Sequence, residues 1–248
     1  MNEQSNFEKQ ENINTRFGGA IGGDRLASIR LSMPHHDEMQ KLVGNALKNA
    51  FRNYPGAEIH VVEIGIGIGY TAKEILEADK RIKLQSVDNE PKMIGEAMKN
   101  LEKNISEGRL KIEKQDALQF LRDIAENSVE SVASAFTLHN FENSYREEVL
   151  KEIFRILKPG GIFINADKYV PDDEKEYRKE YEWQMWQFEN APDDETKQGW
   201  IEHYITDSQP NIIMREKESM EIMKRLGFVS IETSSRFHLE LLLLARKH

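Results

Sequence analysis

The chain has 248 residues, enough for one α/β domain with a substantial core and an inserted segment. Its 39% hydrophobic and 31% charged residues, with no apolar run able to span a bilayer and a polar start (MNEQSNFEKQENIN) unlike a leader peptide, suit a soluble protein away from membranes. A formal charge of −9 removes any broad attraction to phosphate backbones, so direct nucleic-acid binding is not expected, and zero cysteines exclude disulfide and thiolate chemistry and fit a cytoplasmic setting.

Residues 1–24 are polar and contain Gly18, Gly19, Gly22 and Gly23, which reads as a flexible arm that orders over a ligand. From Met33, the residues Met39, Leu42, Val43, Leu47 and Phe51 recur at spacings of three and four, predicting an amphipathic helix with Pro34 in its first turn. Arm and cap helix together make up 1–54. Strands at 58–64, 82–87, 110–114, 129–136 and 162–166 then alternate with helices at 70–78, 91–105, 117–125 and 145–157, the last stopped by the KPGG run at 158–161. This alternation predicts a mainly parallel sheet with right-handed crossovers.

An insertion at 169–210 breaks the rhythm. Tyr177, Tyr181, Met185 and Phe188 fall on one helical stripe, with Trp183 and Trp186 beside it. Such a face packs on the domain, packs on a second copy in a homodimer, or closes as a lid with aromatic walls over a substrate. In the closing segment, 211–248, a helix at 216–226 precedes strands at 228–232 and 238–245. Their link is too short for a crossover helix, so these strands should pair antiparallel.

In an open parallel sheet, ligands bind beyond the carboxyl ends of the strands. The first strand runs through Glu63 into Gly65, Ile66 and Gly67, with Gly69 before the next helix, a turn that lets a ligand approach bare backbone. A dinucleotide fingerprint would need glycine at position 70, which is Tyr70. Asp88 and Asn89 end the second strand, where a carboxylate can accept both hydroxyls of a ribose or cap the helix that follows. Asp116 and Ala117 follow the third, offering a carboxylate and an N–H to an adenine, or another helix cap. Ala135, ending the fourth, is small enough for its backbone to lie under a cofactor. His139 follows; its imidazole either takes a proton from a nucleophile or is a buried, hydrogen-bonded structural group. Lys168 and Tyr169 end the fifth strand beside Asp167, as an ion pair or as substrate contacts, and with Trp183 and Trp186 they form the expected substrate wall. No metal site is expected. His35 and His36 are neighbours on a helix, about 100° apart, with no cysteine or H-E-x-x-H companion.

The motifs VVEIGIGIG, SVDNEPKMI, KQDALQF, AFTLHNF and RILKPGGIFI, within residues 58–166, resemble those of class I S-adenosylmethionine (SAM)-dependent methyltransferases. The resemblance implies a Rossmann-like α/β fold, a seven-stranded mostly parallel sheet with a terminal antiparallel hairpin. It also implies SAM as cofactor in the core at 55–168, and methyl transfer to a small-molecule acceptor. Within that superfamily, roughly residues 30–245 are similar to carboxy-SAM synthases, through MPHHDEM, VDN, FTL, Lys168 with an aromatic after it, and FHLELLLL. Those enzymes use SAM and prephenate. This likeness implies ligand contacts at His36, Gly65, Ile66, Gly67, Asp88, Asn89, Asp116, Ala117 and Ala135. Two departures stand out. The family has tyrosine where His36 stands, and it holds the added carboxylate with an arginine placed near Asp207 and Ser208. No arginine lies between Arg178 and Arg215, which leaves Arg16, Arg25 or Arg30 as substitutes. Beside methyl transfer, with His139 as base where the acceptor must lose a proton, stand two alternatives: a carboxy-SAM synthase-like enzyme and a non-catalytic SAM-binding protein.

Overall fold

A computed structural model of the chain describes residues 29–30 and 32–248; the glycine-rich arm, with Arg16 and Arg25, lies outside the described residues. The elements are α1 (His36–Ala50), β1 (Ile59–Ile64), α2 (Tyr70–Ala78), β2 (Ile82–Asp88), α3 (Pro91–Asn100), α4 (Glu102–Ser106), β3 (Leu110–Lys114), α5 (Ala117–Asp123) and β4 (Val129–Ala135). After a short 3-10 turn at Leu138–Asn140 come α6 (Asn143–Ile156), β5 (Leu157–Lys168), α7 (Glu174–Phe188), α8 (Asp194–Asp207), α9 (Glu216–Leu226), β6 (Phe228–Phe237) and β7 (Glu240–Lys247).

All seven strands join one sheet in the order β3-β2-β1-β4-β5-β7-β6. Strands β1 to β5 pair parallel, and β7 lies antiparallel between β5 and β6. The expected sheet and terminal hairpin are both present. Strand order reverses between β1 and β4, which opens a crevice at their carboxyl ends.

Helices cover both faces, so the central strands are buried on both sides; β4 is buried along its whole length. On one face Met39, Val43 and Leu47 of α1 and Ile75 and Leu76 of α2 pack against Val61, Leu84 and Ile164. On the other, Phe120 and Leu121 of α5, Val149 and Ile153 of α6 and Met223 of α9 pack against Val62, Val132, Phe163 and Leu243. Each such side chain contributes about 1.5–3 kcal/mol by leaving water.

The KPGG run does not separate α6 from β5 as expected. Val129 pairs with Leu157 and Ser131 with Ile162, so residues 158–161 bulge opposite the single residue Glu130. The bulge is held by the buried Glu130 carboxylate, which accepts from Lys158 Nζ, from Tyr54 Oη at 2.7 Å and from the His60 amide at 2.7 Å.

The inserted segment carries α7 and α8 around a third core of Val170, Phe188, Trp200, Tyr204, Ile213 and Leu239, with Tyr177 and Met185 against it. The aromatic stripe thus packs inward through Phe188, while Tyr181 and Trp186 stay 38% and 61% exposed. No helix among the described residues is long and apolar enough to cross a membrane.

Candidate functional site

The carboxyl ends of β1, β2 and β4, the turn after β3 and the start of α1 line an open cleft. Its floor is the glycine turn. Gly65 has φ +80°, and a Cβ there would lie 2.1 Å from Thr137 Oγ1. The amides of Gly65 and Ile66 both donate to the Val87 carbonyl, at 2.9 and 3.2 Å, which pins the turn to β2. Gly67 has φ +53°, and a Cβ there would meet nothing within 4 Å, so its bare backbone faces open space.

Asp88 closes the next wall. Its Oδ2 accepts from the Gly67 amide at 2.9 Å and its Oδ1 from the Glu90 amide at 3.0 Å. Each oxygen keeps lone-pair capacity beyond these bonds. Burial raises its pKa above the usual carboxylate range, and the backbone donors only partly offset this. A pair of hydroxyl donors would supply what burial removed. The N-cap of α3 is Glu90, whose side chain accepts from the Lys92 amide at 3.1 Å. Asn89 lies beside them on the cleft wall.

Asp116 is both cap and wall. It accepts from the Gln119 amide at 3.0 Å as N-cap of α5, and from Tyr145 Oη at 2.7 Å. Tyr145 Oη also accepts from the Leu118 amide at 3.1 Å, and burial raises its pKa, so the phenol stays a donor. Ala117 and Ala135 line the cleft as expected. The helix α1 brings His36 over it. His36 Nε2 accepts from Gln40 Nε2 at 3.0 Å, so Nδ1 carries the proton shared with Asp37 Oδ1 at 3.1 Å. Burial lowers its pKa, which favours the neutral ring. The ring stacks on Phe136 with centroids 5.4 Å apart. Phe136 itself has φ +50°, an uncommon conformation for an aromatic residue, held by its amide bond to the Ala166 carbonyl at 2.9 Å.

Several expected site residues lie elsewhere. Glu63 does not line the cleft. It is fully buried beneath the turn, accepts from Ser86 Oγ at 2.6 Å, and burial pushes its pKa up to about 8. Tyr169 is fully buried, its hydroxyl accepting from Asn165 Nδ2 at 2.7 Å, so it is core rather than substrate wall. Trp183 stacks on His238 at 3.5 Å, and Trp186 faces solvent. Lys168 is buried, with Ser32 Oγ at 3.4 Å and Asp207 Oδ2 at 4.0 Å. His139 is buried as well, its Nδ1 bonded to Asp167 Oδ1 at 2.5 Å: the hydrogen-bonded arrangement rather than a base in the cleft. The same Asp167 accepts from the Leu138 amide at 2.9 Å and the Lys168 amide at 2.9 Å. Arg30 pairs with Asp37 at 2.5 Å.

Gln40, Phe136 and Tyr145 line the cleft and were not anticipated. Gln40 sits one helical turn after His36 and could have been placed from that spacing. Tyr145 is merely the start of an amphipathic helix by pattern, and a positive φ at phenylalanine leaves no sequence signal.

A family described as a methyltransferase domain matches residues 61–161. The chain is 28% identical over 123 residues to a demethylmenaquinone methyltransferase of Leptospira interrogans, across 50% of this chain and 48% of that protein. It is 28% identical over 210 residues to a carboxy-S-adenosyl-L-methionine synthase of Campylobacter fetus, across 83% and 82% of the two chains. The chain thus spans about half the length of the first of these curated relatives and most of the second. Among solved structures, an O-methyltransferase family protein from Burkholderia thailandensis superposes with TM-score 0.64 at 15% identity, over 90% of this chain and 60% of that one. Phosphoethanolamine N-methyltransferase 2 of Haemonchus contortus, in complex with S-adenosyl-L-methionine, does so with TM-score 0.55 at 17% identity, over 82% and 52%. These two structures speak to the fold.

Proposed function

We propose that the chain is a class I SAM-dependent methyltransferase, that it binds SAM in the cleft and that it methylates a small-molecule acceptor, a reading supported by the methyltransferase-domain match at residues 61–161. The observation that carries the reading is the pairing of Gly67, whose backbone faces open space, with the incompletely satisfied carboxylate of Asp88 bonded to its amide. In this reading Gly65, Ile66 and Gly67 receive the amino-acid end, Asp88 and Asn89 the ribose, Asp116 and Ala117 the adenine, and Ala135 underlies the sulfonium. When bound, SAM supplies an electrophilic methyl group on a positively charged sulfur.

The protein's part is then alignment. Holding an acceptor in line lowers a barrier by roughly 7–11 kcal/mol at best. His36, Phe136 and Gln40 form a rigid neutral wall over the cleft and are suited to placing an acceptor and excluding water. Burial keeps the His36 ring neutral, and with Nε2 held by Gln40 and Nδ1 by Asp37 it is suited to positioning an acceptor rather than to taking its proton.

The carboxy-SAM alternative needs a cation for its added carboxylate. The place matching that family's arginine falls near Asp207 and Ser208, neither of which is a cation, and the ammonium beside them, Lys168 Nζ, faces Asp207 Oδ2 at 4.0 Å. Methyl transfer is therefore the better account. Titration calorimetry on the full chain tests it: saturable heat is expected from SAM and from S-adenosylhomocysteine, and none from NAD. Mass spectrometry should show methyl gain within a panel of hydroxy, amino and carbon-acid acceptors, and no carboxylated nucleoside after incubation with prephenate. Folded protein that takes up neither nucleoside would end the proposal.

A further inference from the structure

Behind the cleft, the turn after β4 meets helix α8. Three groups converge there: His139 Nε2, His203 Nε2 and the Asp207 carboxylate, with one ligand atom from each lying within 4.8 Å of the others. Asp207 Oδ2 is 3.3 Å from His203 Nε2 and 3.9 Å from His139 Nε2. Both Asp207 oxygens are buried, and neither accepts a hydrogen bond among the described residues. A buried carboxylate without donors is costly. Nitrogens that surround an oxygen without hydrogen bonding to it have the layout of ligands around a shared centre.

Three further features fit a metal ion. Tetrahedral bonds of about 2.0–2.1 Å place ligand atoms about 3.3 Å apart, so 3.3 and 3.9 Å require only a small contraction. His139 Nδ1 bonds Asp167 Oδ1 at 2.5 Å, which puts the proton of the neutral ring on Nδ1 and leaves the Nε2 lone pair toward Asp207. A carboxylate behind a histidine in this way orients metal-binding imidazoles and raises their basicity. Finally, His203 and Asp207 are four apart on α8 and so share one helix face, while buried Arg146 fixes the turn by donating to the carbonyls of Leu138 at 2.9 Å and Phe141 at 2.6 Å.

We propose that His139 Nε2, His203 Nε2 and Asp207 bind one first-row divalent metal ion of the zinc type, with Asp167 as its outer carboxylate. Two imidazoles and a carboxylate suit zinc, cobalt or iron(II) better than magnesium or calcium, which prefer oxygen. Lys168 approaches the same Asp207 oxygen at 4.0 Å; on metal binding its ammonium has Ser32 Oγ, and Glu240 across the β5–β7 register, to turn to. The ion would tie the inserted helices to the turn whose Thr137 and Asn140 line the cleft. Three protein ligands leave a further position for water.

The probe is cobalt(II) added to the full chain after chelator treatment. One saturating equivalent is expected, with the intense visible bands of a tetrahedral nitrogen–oxygen site. His203→Ala and Asp207→Asn should lose the bands, whereas His35→Ala, altering a histidine outside the cluster, should keep them. In the unmutated protein, proton NMR should show two hyperfine-shifted exchangeable imidazole signals. This readout does not depend on whether a variant folds. Absence of a saturable spectrum or of shifted imidazole signals in the unmutated protein, or unaltered binding by folded Asp207→Asn, would overturn the site. SAM titration of the chelator-treated protein is read separately, so failure here leaves the methyltransferase reading intact.

Discussion

Two polar regions adjoin at the carboxyl end of the sheet, and they are satisfied by opposite means. In the cleft, acidic side chains meet backbone: Asp88 accepts from the Gly67 and Glu90 amides, and Asp116 from the Gln119 amide. In the cluster behind it, Asp207 meets the side chains of His139, His203 and Lys168 and accepts a hydrogen bond from none of the described residues. The difference teaches where rigidity comes from. Backbone donors are fixed by the sheet before any ligand arrives, so the cleft is preorganised. A cluster of side chains on separate elements holds its geometry only through a shared partner.

The sharpest way to break this contrast is at the turn. Gly65→Ala forces a non-glycine residue to φ +80° and drives its Cβ to 2.1 Å from Thr137 Oγ1. The left-handed backbone alone costs about 1–2 kcal/mol, and the contact must add to it. Calorimetry should find SAM binding weakened by more than about 100-fold, a loss of roughly 3 kcal/mol. Gly67→Ala carries the backbone cost without the clash, so its apo stability should fall by only about 1 kcal/mol. Equal SAM binding by wild type and Gly65→Ala would show that the turn is no rigid cradle.

Next in size is Asp88→Ala. If two ribose hydroxyls donate to this carboxylate, losing two charge-assisted bonds should raise the SAM dissociation constant on the order of 100-fold. The effect should be alike for SAM and S-adenosylhomocysteine, since both carry the ribose. A change below a few-fold would remove Asp88 from the ribose role.

Those residues were legible because a backbone-built site occupies short contiguous stretches. The sequence from Glu63 to Gly69 and the ends at Asp88, Asp116 and Ala135 show the strand end, the turn and the acid together. Glu63 was misassigned for a physical reason. Strand side chains alternate, so its distance along the chain from Gly65 says nothing about burial beneath the turn. The cluster behind the cleft was not legible at all. His139, Asp167, His203 and Asp207 come from three separate elements, and only the four-residue spacing of the last two leaves any trace in the sequence. Helical spacing sets Trp183 and Trp186 beside the stripe of Tyr177, Tyr181, Met185 and Phe188, but spacing alone cannot say which side of the helix faces the cleft.

Glu63 gives a smaller and pH-dependent effect. Its folded pKa of about 8 lies above the ordinary value of 4.5, so the folded protein holds a proton there that the unfolded chain gives up. Where the folded state binds more protons, stability falls as pH rises, here from about 4.5 to about 8. Glu63→Gln keeps an acceptor for Ser86 and cannot ionise. It should match wild type near pH 4.5 and exceed it at pH 8 by roughly 2–4 kcal/mol, read from urea midpoints at both pH values. A pH-independent offset between the two proteins would mean that Glu63 is ionised in the fold.

The smallest expected effect tests the aromatic insertion. Trp186 is 61% exposed, whereas Phe188, two residues on, is fully buried against Trp200 and Tyr204. If the stripe is a packed face, Trp186→Ala touches nothing that matters. Its stability should then lie within about 0.5 kcal/mol of wild type, while Phe188→Ala should cost about 3–5 kcal/mol. A lid behaves differently, because an aromatic side chain that meets substrate only on closure contributes to turnover without contributing to stability. Methyl transfer measured at limiting and saturating acceptor separates the two. Unchanged kcat/KM in Trp186→Ala leaves α7 as a packed helix. A drop in kcat/KM at unchanged melting temperature would mean that the helix swings its exposed tryptophan onto the cleft, and that packing of Phe188 describes only the open form.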